Sequence, residues 1–170
     1  VVSESRAGTA VAEAFPHLAG TIDGLAFSDF EALPALFASA SGDRRRFALV
    51  SAAPHGASAA LVARAIALAE SAGVALSVVD LSADFRFAEA ARYEAVYGHP
   101  HPAPGLLARF VRALPEHSSW APGASASIGI AHPGCFTTAV LLAVVPLLAL
   151  GVAEPRFAVT AITGSTGRCL

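Results

Sequence analysis

The stretch that decides the fold is residues 47–80, FALVSAAPHGASAALVARAIALAESAGVALSVVD. It begins and ends with short uninterrupted apolar runs, Phe47–Ser51 and Val74–Val79, which are typical of strands buried on both faces of a parallel sheet. Between them Ser58 can cap a helix whose apolar residues recur at helical spacing, and Gly73 ends that helix. Strand, helix and strand in this order form a βαβ unit with a right-handed crossover.

The flanking segments extend this α/β pattern in both directions. Val1–Ser3 resembles the end of a strand, and residues 99–104 form a rigid extended loop, because their prolines fix φ and lack an N–H donor. The other predicted elements are a helix near residues 88–96, a loop at 118–126, a strand at 127–131, a long apolar helix at 136–153 that is kinked or interrupted near Pro146, and a strand of a different sheet at 157–162.

Composition excludes several classes of protein. The chain has 170 residues, 55% of them hydrophobic and 14% charged, which suits roughly one domain of about 100–200 residues with a sizeable core. A net charge of −2 with no long basic or acidic block argues against a nucleic-acid partner. The N-terminus carries no basic segment followed by an apolar run, as a signal peptide would have. Residues 136–153 are uncharged, but internal Thr, Pro and Gly and the lack of aromatic or basic flanks favour a buried helix over a membrane span.

Cys135 is the first candidate for chemistry. It follows Pro133-Gly134 at the predicted junction of a strand and a helix. A helix N-terminus favours the thiolate, which is the nucleophilic form, and its free N–H groups can hold an oxyanion. Gly134 permits a sharp turn and close approach of a substrate. The alternative is a buried cysteine acting as a small hydrophobic residue; a disulfide with Cys169 is not indicated.

Loop residues supply the other candidates. His55 lies where an α/β sheet usually meets its ligand, and Arg86 can hold a carboxylate or phosphate or pair with Asp80 or Asp84. Glu116 is either a ligand or a solvated loop carboxylate. The remaining alternatives are a zinc site at His99, His101, His132 and Cys135, which lacks regular ligand spacing, and an anion cradle or plain turn at residues 163–168.

Seven segments stand out when the chain is read in order: APHG at 53–56, VDLSADFR at 79–86, Tyr93, YGHPHPAP at 97–104, LPE at 114–116, HPGCFTTA at 132–139 and ITGSTG at 162–167. Together they resemble the N-acetyl-gamma-glutamyl-phosphate reductase family, in the order that the family has them, and the resemblance covers nearly the whole chain. His132 departs from the family, which usually has asparagine before Pro-Gly-Cys.

The resemblance implies a fold and an activity. The fold is α/β. Residues 1–131 would form an incomplete Rossmann-type parallel sheet domain, which is a partial NAD(P)-binding domain. Residues 132–170 would be the start of a second α/β (α+β) domain, which binds the substrate. The activity is NAD(P)H-dependent reduction of N-acetyl-glutamyl 5-phosphate to N-acetyl-glutamate 5-semialdehyde in arginine biosynthesis. Cys135 would expel phosphate and form a thioester, and hydride would then give a thiohemiacetal that collapses to the aldehyde.

The residue arguments and the resemblance together give a predicted site. The catalytic residue is Cys135, and no metal is expected. The expected ligand contacts are Ser3, Glu4, Pro54, His55, Gly56 and Gly134 for the cofactor, and Arg86, Glu116 and Ser165 for the substrate.

Cofactor preference depends on Ser3 and Glu4. Members of the family commonly have Ser-Arg here, which suits the 2′-phosphate of NADP. A carboxylate prefers a free 2′-hydroxyl and repels a phosphate, although Arg6 nearby can offset this. We therefore expect NADP with a weakened preference, and NAD as the alternative.

By the same resemblance, the family's Gly-rich phosphate loop belongs before Val1 and its acid–base histidine after Leu170. We therefore expect a fragment with little or no activity of its own. The full-length protein is expected to be a cytoplasmic homo-oligomer that acts on a small-molecule acyl phosphate. The alternatives are a related reductase of the aspartate-semialdehyde or aminoadipyl-phosphate type, a non-catalytic remnant, and a membrane segment protein.

Overall fold

The computed structural model describes residues 1–39, 46–117 and 129–162 and divides the chain into two compact units. The first unit comprises Val1–Arg45 and Leu68–Val74, and the second comprises Arg46–Ala67 and Ala75–Leu170. The two units are defined by their compactness alone, so they do not test the functional boundary predicted after residue 131, which stays a prediction.

The first unit is built mainly from short helices around an apolar core. Its elements are α1 (Val11–Ala14), α2 (Leu33–Ala38) and 3-10 helices at Glu4–Arg6, Pro16–Leu18 and Phe30–Ala32. Its buried side chains include Val11, Phe27, Phe30, Leu33 and Phe37. Val2 makes one isolated bridge to Ser28, so the strand end predicted at Val1–Ser3 amounts to a single pair.

The second unit contains a parallel sheet of four strands, which confirms the α/β, Rossmann-like class. The strands are β1 (Arg46–Ser51), β2 (Ala75–Asp80), β3 (Phe110–Arg112) and β4 (Gly129–Ala131), in the order β1-β2-β4-β3. The predictions for β1, β2 and the described part of β4 are confirmed; the rest of the third predicted strand and the predicted loop at 118–126 lie outside the described residues. β3 was not predicted, because three residues are too few to show a periodic pattern.

The helices of this part of the chain largely follow their sequence signals. They are α3 (Ser58–Ser71), α4 (Ala90–Tyr97), α5 (Cys135–Ala149) and 3-10 helices at Pro104–Arg109 and Pro115–His117. Gly73 after α3 and Gly98 after α4 have φ of 68° and 75°, so glycine ends both helices. The extended loop predicted at 99–104 is wrong for Pro104, whose fixed φ suits the first position of a helix.

An aromatic stack packs across β3 and β4. Phe110 lies opposite Gly129 in the register, and a Cβ at Gly129 would lie 2.5 Å from the Phe110 ring. Phe85 stacks on Phe110 with a centroid distance of 3.7 Å. Glycine is therefore required at position 129 to make room for the ring.

The opposite face of the sheet is largely open. Val50, Val79, Ile130 and Val111 form one row across the four strands, and Val50 and Val111 are 60% and 51% exposed. The prediction that both faces are buried is wrong for β1. An apolar run shows that a strand can be covered, but not that anything covers it.

Two predictions for the last segment, a buried helix and a strand at 157–162, are also wrong. No side chain of α5 is buried, although its residues are mostly apolar. The helix is not interrupted at Pro146, and the alternative of a kink there stays a prediction. Residues 157–162 form no strand, and Phe157, Val159 and Ile162 are exposed. Among the residues that the structure describes, no helix combines the length and the apolar character needed to cross a bilayer.

Candidate functional site

The candidate site lies at the carboxyl edge of the parallel sheet. The last residues of β1, β2 and β4 are aligned in the register as Ser51, Asp80 and Ala131. The ladder continues past them, because Leu81 N–H donates to Ser51 O and His132 N–H donates to Asp80 O, each at 2.9 Å. The loops that begin here lead to Cys135 and contain Pro54, His55, Gly56, Arg86 and Gly134, so these six predicted site residues are brought to one edge. Ligands of open α/β sheets bind at such an edge.

Two buried carboxylates, those of Asp80 and Asp84, accept hydrogen bonds from groups in these loops. Asp80 is fully buried and accepts from Ser58 Oγ at 2.6 Å, Ser82 Oγ at 2.7 Å and Ser82 N–H at 3.3 Å. Ser51 Oγ lies 2.7 Å from Ser58 Oγ. A buried carboxylate is costly unless hydrogen bonds satisfy it, and here hydroxyl and amide donors do so.

The second carboxylate, Asp84, caps α3. It is fully buried, and its two oxygens accept from Gly56 N–H at 2.8 Å and Ala59 N–H at 2.9 Å. The positive end of the helix dipole and these donors both stabilise the negative charge. Asp84 therefore fixes the Pro54–Gly56 loop, which carries His55. The sequence pattern placed Asp80 and Asp84 only as ion-pair partners for Arg86, whereas both carboxylates bond to other groups.

Aromatic and imidazole rings surround Asp84. Tyr93 Oη lies 3.4 Å from Asp84 Oδ1. Burial and the neighbouring Asp84 charge raise the pKa of Tyr93 to about 12. His101 Nδ1 accepts from Ala103 N–H, so its Nε2 carries the hydrogen and donates to Asp84 O at 2.9 Å. Sequence reasoning missed this role of Tyr93 and His101, whose only signal was their place in the quoted motifs.

His55 is exposed, but a hydrogen bond from the backbone fixes the orientation and the neutral tautomer of its ring. Its Nδ1 accepts from Ala83 N–H at 2.9 Å, so the hydrogen of the neutral ring lies on Nε2. Gly56, with φ of 83°, turns the chain directly after it. His55 is therefore a fixed donor at the sheet edge.

Cys135 is the first residue of α5 and is exposed. The N-cap residue, Gly134, has φ of 97° and makes no side-chain cap, so no side chain of that residue occupies the first N–H groups of the helix. The start of α3 differs, because the Asp84 carboxylate accepts from the N–H groups at that helix N-terminus. The start of α5 keeps the arrangement that can hold an oxyanion next to a sulfur nucleophile. The alternative of a buried, packing cysteine is wrong for Cys135.

The turn before Cys135 is held by His132 and Arg86. His132 Nδ1 accepts from Gly134 N–H at 3.2 Å, and its Nε2 lies 3.3 Å from Thr138 Oγ1. Arg86 donates through Nε to His132 O at 3.0 Å and through Nη2 to Leu81 O at 3.1 Å. Both ring nitrogens of His132 are thus engaged. Among the described residues, no group of three or more His, Cys, Asp or Glu is placed to hold a metal ion.

The remaining candidates follow β3, belong to the first unit or lie outside the described residues. Glu116 is exposed in the 3-10 helix that follows β3, next to His117, whose Nε2 lies 3.1 Å from Leu141 O of α5. Ser3 and Glu4 belong to the first unit, where Glu4 Oε1 accepts from Phe30 N–H at 3.1 Å and Ser3 N–H donates to Ser28 O. Ser165, with the Gly-rich segment 163–168, lies outside the described residues.

Comparison with known proteins identifies similar chains. No family model matches. Proteins named N-acetyl-gamma-glutamyl-phosphate reductase from Pseudomonas putida (strain W619), Pseudomonas fluorescens (strain SBW25) and Azotobacter vinelandii (strain DJ) are 41%, 40% and 40% identical to this chain. Each match covers 91% of this chain and 40% of the relative, so the chain spans about 40% of the length of the curated relatives it matches. The resemblance predicted from the sequence is confirmed.

Proposed function

We propose that this chain is the nucleophile-bearing part of an N-acetyl-gamma-glutamyl-phosphate reductase. The whole protein would reduce N-acetyl-glutamyl 5-phosphate to N-acetyl-glutamate 5-semialdehyde in arginine biosynthesis. One observation carries the proposal: Cys135 is exposed at the N-terminus of α5, where no described side chain caps the first N–H groups, on the edge formed by the ends of β1, β2 and β4. The similarity to reductases of that name supports the choice of substrate.

The cysteine and the start of its helix perform the first step. The Cys135 thiolate attacks the acyl carbon, the bond from that carbon to the phosphate oxygen breaks, and inorganic phosphate leaves. A thioester remains on Cys135. The N–H groups at the start of α5 would donate to the oxygen that becomes negative during the attack and would stabilise that charge without reorganisation.

The cofactor in this proposal is a nicotinamide nucleotide, which supplies hydride when bound. The described residues fit part of such a site: His55 presents a fixed Nε2–H donor at the sheet edge, beside the turn at Gly56. They do not fit a pyrophosphate on α3, because Asp84 already accepts from Gly56 N–H and Ala59 N–H. Pro54, His55, Gly56 and Gly134 are therefore proposed to contact the nicotinamide half of the cofactor.

We assign adenosine-side contacts to Ser3 and Glu4, with NADP preference weakened by the Glu4 carboxylate. The Glu4 side chain already bonds to Phe30 N–H, which restrains it within its own unit. Comparison of kcat/KM for NADPH and NADH tests this assignment, and a strong preference for NADPH would contradict it. Substrate contacts at Glu116 and Ser165, a cytoplasmic location and a homo-oligomer belong to the same proposal.

The proposal is tested by measuring turnover in the reverse direction, in which formation of NADPH is followed by its absorbance. The complete reading frame that contains this chain is expected to convert N-acetyl-glutamate 5-semialdehyde, phosphate and NADP to NADPH, read at 340 nm. Cys135→Ser should reduce kcat by at least about 10³-fold, because the covalent step is lost. Cys169→Ser is the matched control and should leave kcat unchanged.

Other substrates decide between related activities. Faster turnover of aspartate semialdehyde or of an N-acetyl-aminoadipate semialdehyde would replace the proposed substrate. Full activity of Cys135→Ser would exclude the mechanism. The 170-residue chain by itself is expected to show little or no turnover.

A further inference from the structure

The guanidinium of Arg86 holds together two loops at the sheet edge. Its Nε donates to His132 O at 3.0 Å, in the loop after β4, and its Nη2 donates to Leu81 O at 3.1 Å, in the loop after β2. These two carbonyls are fixed by the sheet, because Leu81 N–H and His132 N–H each continue the strand ladder. Arg86 therefore donates one hydrogen bond to the backbone of each loop.

Gly134 makes room for this guanidinium. A Cβ at Gly134 would lie 3.0 Å from Arg86 Nη1, 3.1 Å from Cζ and 3.1 Å from Nη2. The planar group therefore packs directly against the residue that precedes the nucleophile. A glycine is required here twice over, since φ of 97° is also unfavourable for any other residue.

The turn from His132 to Cys135 is then restrained at successive points. His132 N–H bonds to Asp80 O, His132 O accepts from Arg86, and Gly134 N–H bonds to the His132 ring. Thr138 N–H donates to Gly134 O at 2.8 Å and begins α5. Of these contacts, only those of Arg86 tie the turn to the β2 loop through a side chain.

We infer that Arg86 is a positioning residue, which fixes the Gly134–Cys135 turn and so the direction of the sulfur. This inference rests on the proposed function and departs from the role of substrate ligand that the sequence suggested. A lysine is a poor replacement for Arg86, because its ammonium has donors but no rigid planar fork, and so cannot pack flat against Gly134 while it bonds to both carbonyls.

The test compares Arg86→Gln and Arg86→Lys with wild type. Arg92→Gln is the matched control, because Arg92 is an exposed arginine on α4 with one ion pair to Glu89. Two rates are measured on each protein: alkylation of Cys135 by iodoacetamide at pH 7, followed by mass spectrometry, and turnover of the semialdehyde. Iodoacetamide is uncharged and needs no cation to bind, so its rate reports the sulfur and its surroundings.

We expect Arg86→Gln to lower the alkylation rate constant and kcat by about tenfold or more, because a small misplacement of a reacting group is costly. KM should change less than twofold, Arg86→Lys should restore only part of either rate, and Arg92→Gln should match wild type. If Arg86→Gln fails to fold, Arg86→Lys, which keeps the charge and the stem, carries the same comparison.

The opposite pattern would overturn the inference. A tenfold rise in KM with unchanged alkylation would make Arg86 a substrate ligand, and wild-type values throughout would make it dispensable. If wild type alkylates normally but does not turn over the semialdehyde, the proposed function fails, and the alkylation rates of the variants still decide whether Arg86 orients the sulfur.

Discussion

Gly129→Ala is the sharpest test of the packing behind the site. The added Cβ would lie 2.5 Å from Phe110 Cδ1 and Cε1 and 2.6 Å from Cζ, against ordinary carbon contacts of about 3.5–4.0 Å. The Phe110 ring must therefore move by about 1 Å. It is 3% exposed and stacked on Phe85, so it cannot move that far and keep the stack.

Overpacking of this kind costs about 1–3 kcal/mol in free energy of unfolding. With a urea m-value of about 2 kcal/mol/M, the midpoint of unfolding should fall by about 0.5–1.5 M. Circular dichroism during urea titration measures it. Gly105→Ala is the matched control: no atom lies within 4 Å of its added Cβ, and its φ is not positive. Its midpoint should stay the same or rise slightly.

A double variant adds a check on the mechanism. Phe110→Leu combined with Gly129→Ala should cost less than the sum of the two single changes, because the smaller side chain removes the clash. The reasoning is refuted if Gly129→Ala unfolds at the wild-type midpoint, or if Gly105→Ala is equally destabilising.

Three further predictions concern the site. Asp84→Asn should lower the free energy of unfolding by about 1.5–3 kcal/mol in urea titration, because the amide has one acceptor oxygen where the carboxylate offers two; a loss below about 0.5 kcal/mol would contradict the capping role. The raised pKa of Tyr93, about 12 against 10.0, contributes stability that is complete below pH 10 and is lost as pH rises through 12. Tyr93→Phe should therefore flatten the fall in unfolding free energy between pH 10 and pH 12, and an equally steep fall in that variant would refute the assignment. Peptide mapping after brief iodoacetamide treatment at pH 7 should find Cys135 modified before Cys169, and the reverse order would argue against an activated sulfur.

Local patterns predicted the central part of the fold well. Apolar runs, helical spacing and the glycines after them located β1, α3, β2 and α4, because each signal arises within the element itself. The same logic misled at residues 157–162, where alternation suggested a strand. A strand also needs a neighbour for its backbone groups, and alternation does not supply one.

The residues of the candidate site were named from the sequence and stay predictions, whereas the contacts among them come from the structure. Cys135, His55 and Arg86 stood out from their loops and from the family resemblance. The capping of α3 by Asp84 joins residues 25 to 28 positions apart, and the contact from Arg86 to His132 joins residues 46 apart. No sequence period reports contacts of that kind, so the sequence predicts a ligand role for Arg86 and gives no sign of its bond to His132.

The sequence by itself determined the parallel α/β pattern, the reactive residue types and the order in which they occur, because these depend on neighbours along the chain. Only the tertiary structure decided that the two helix N-termini differ. Asp84 reaches the start of α3 from a distant loop and accepts from its N–H groups, whereas among the described residues no side chain caps the start of α5. The difference is a property of packing, because it depends on which distant side chain lies at each helix start.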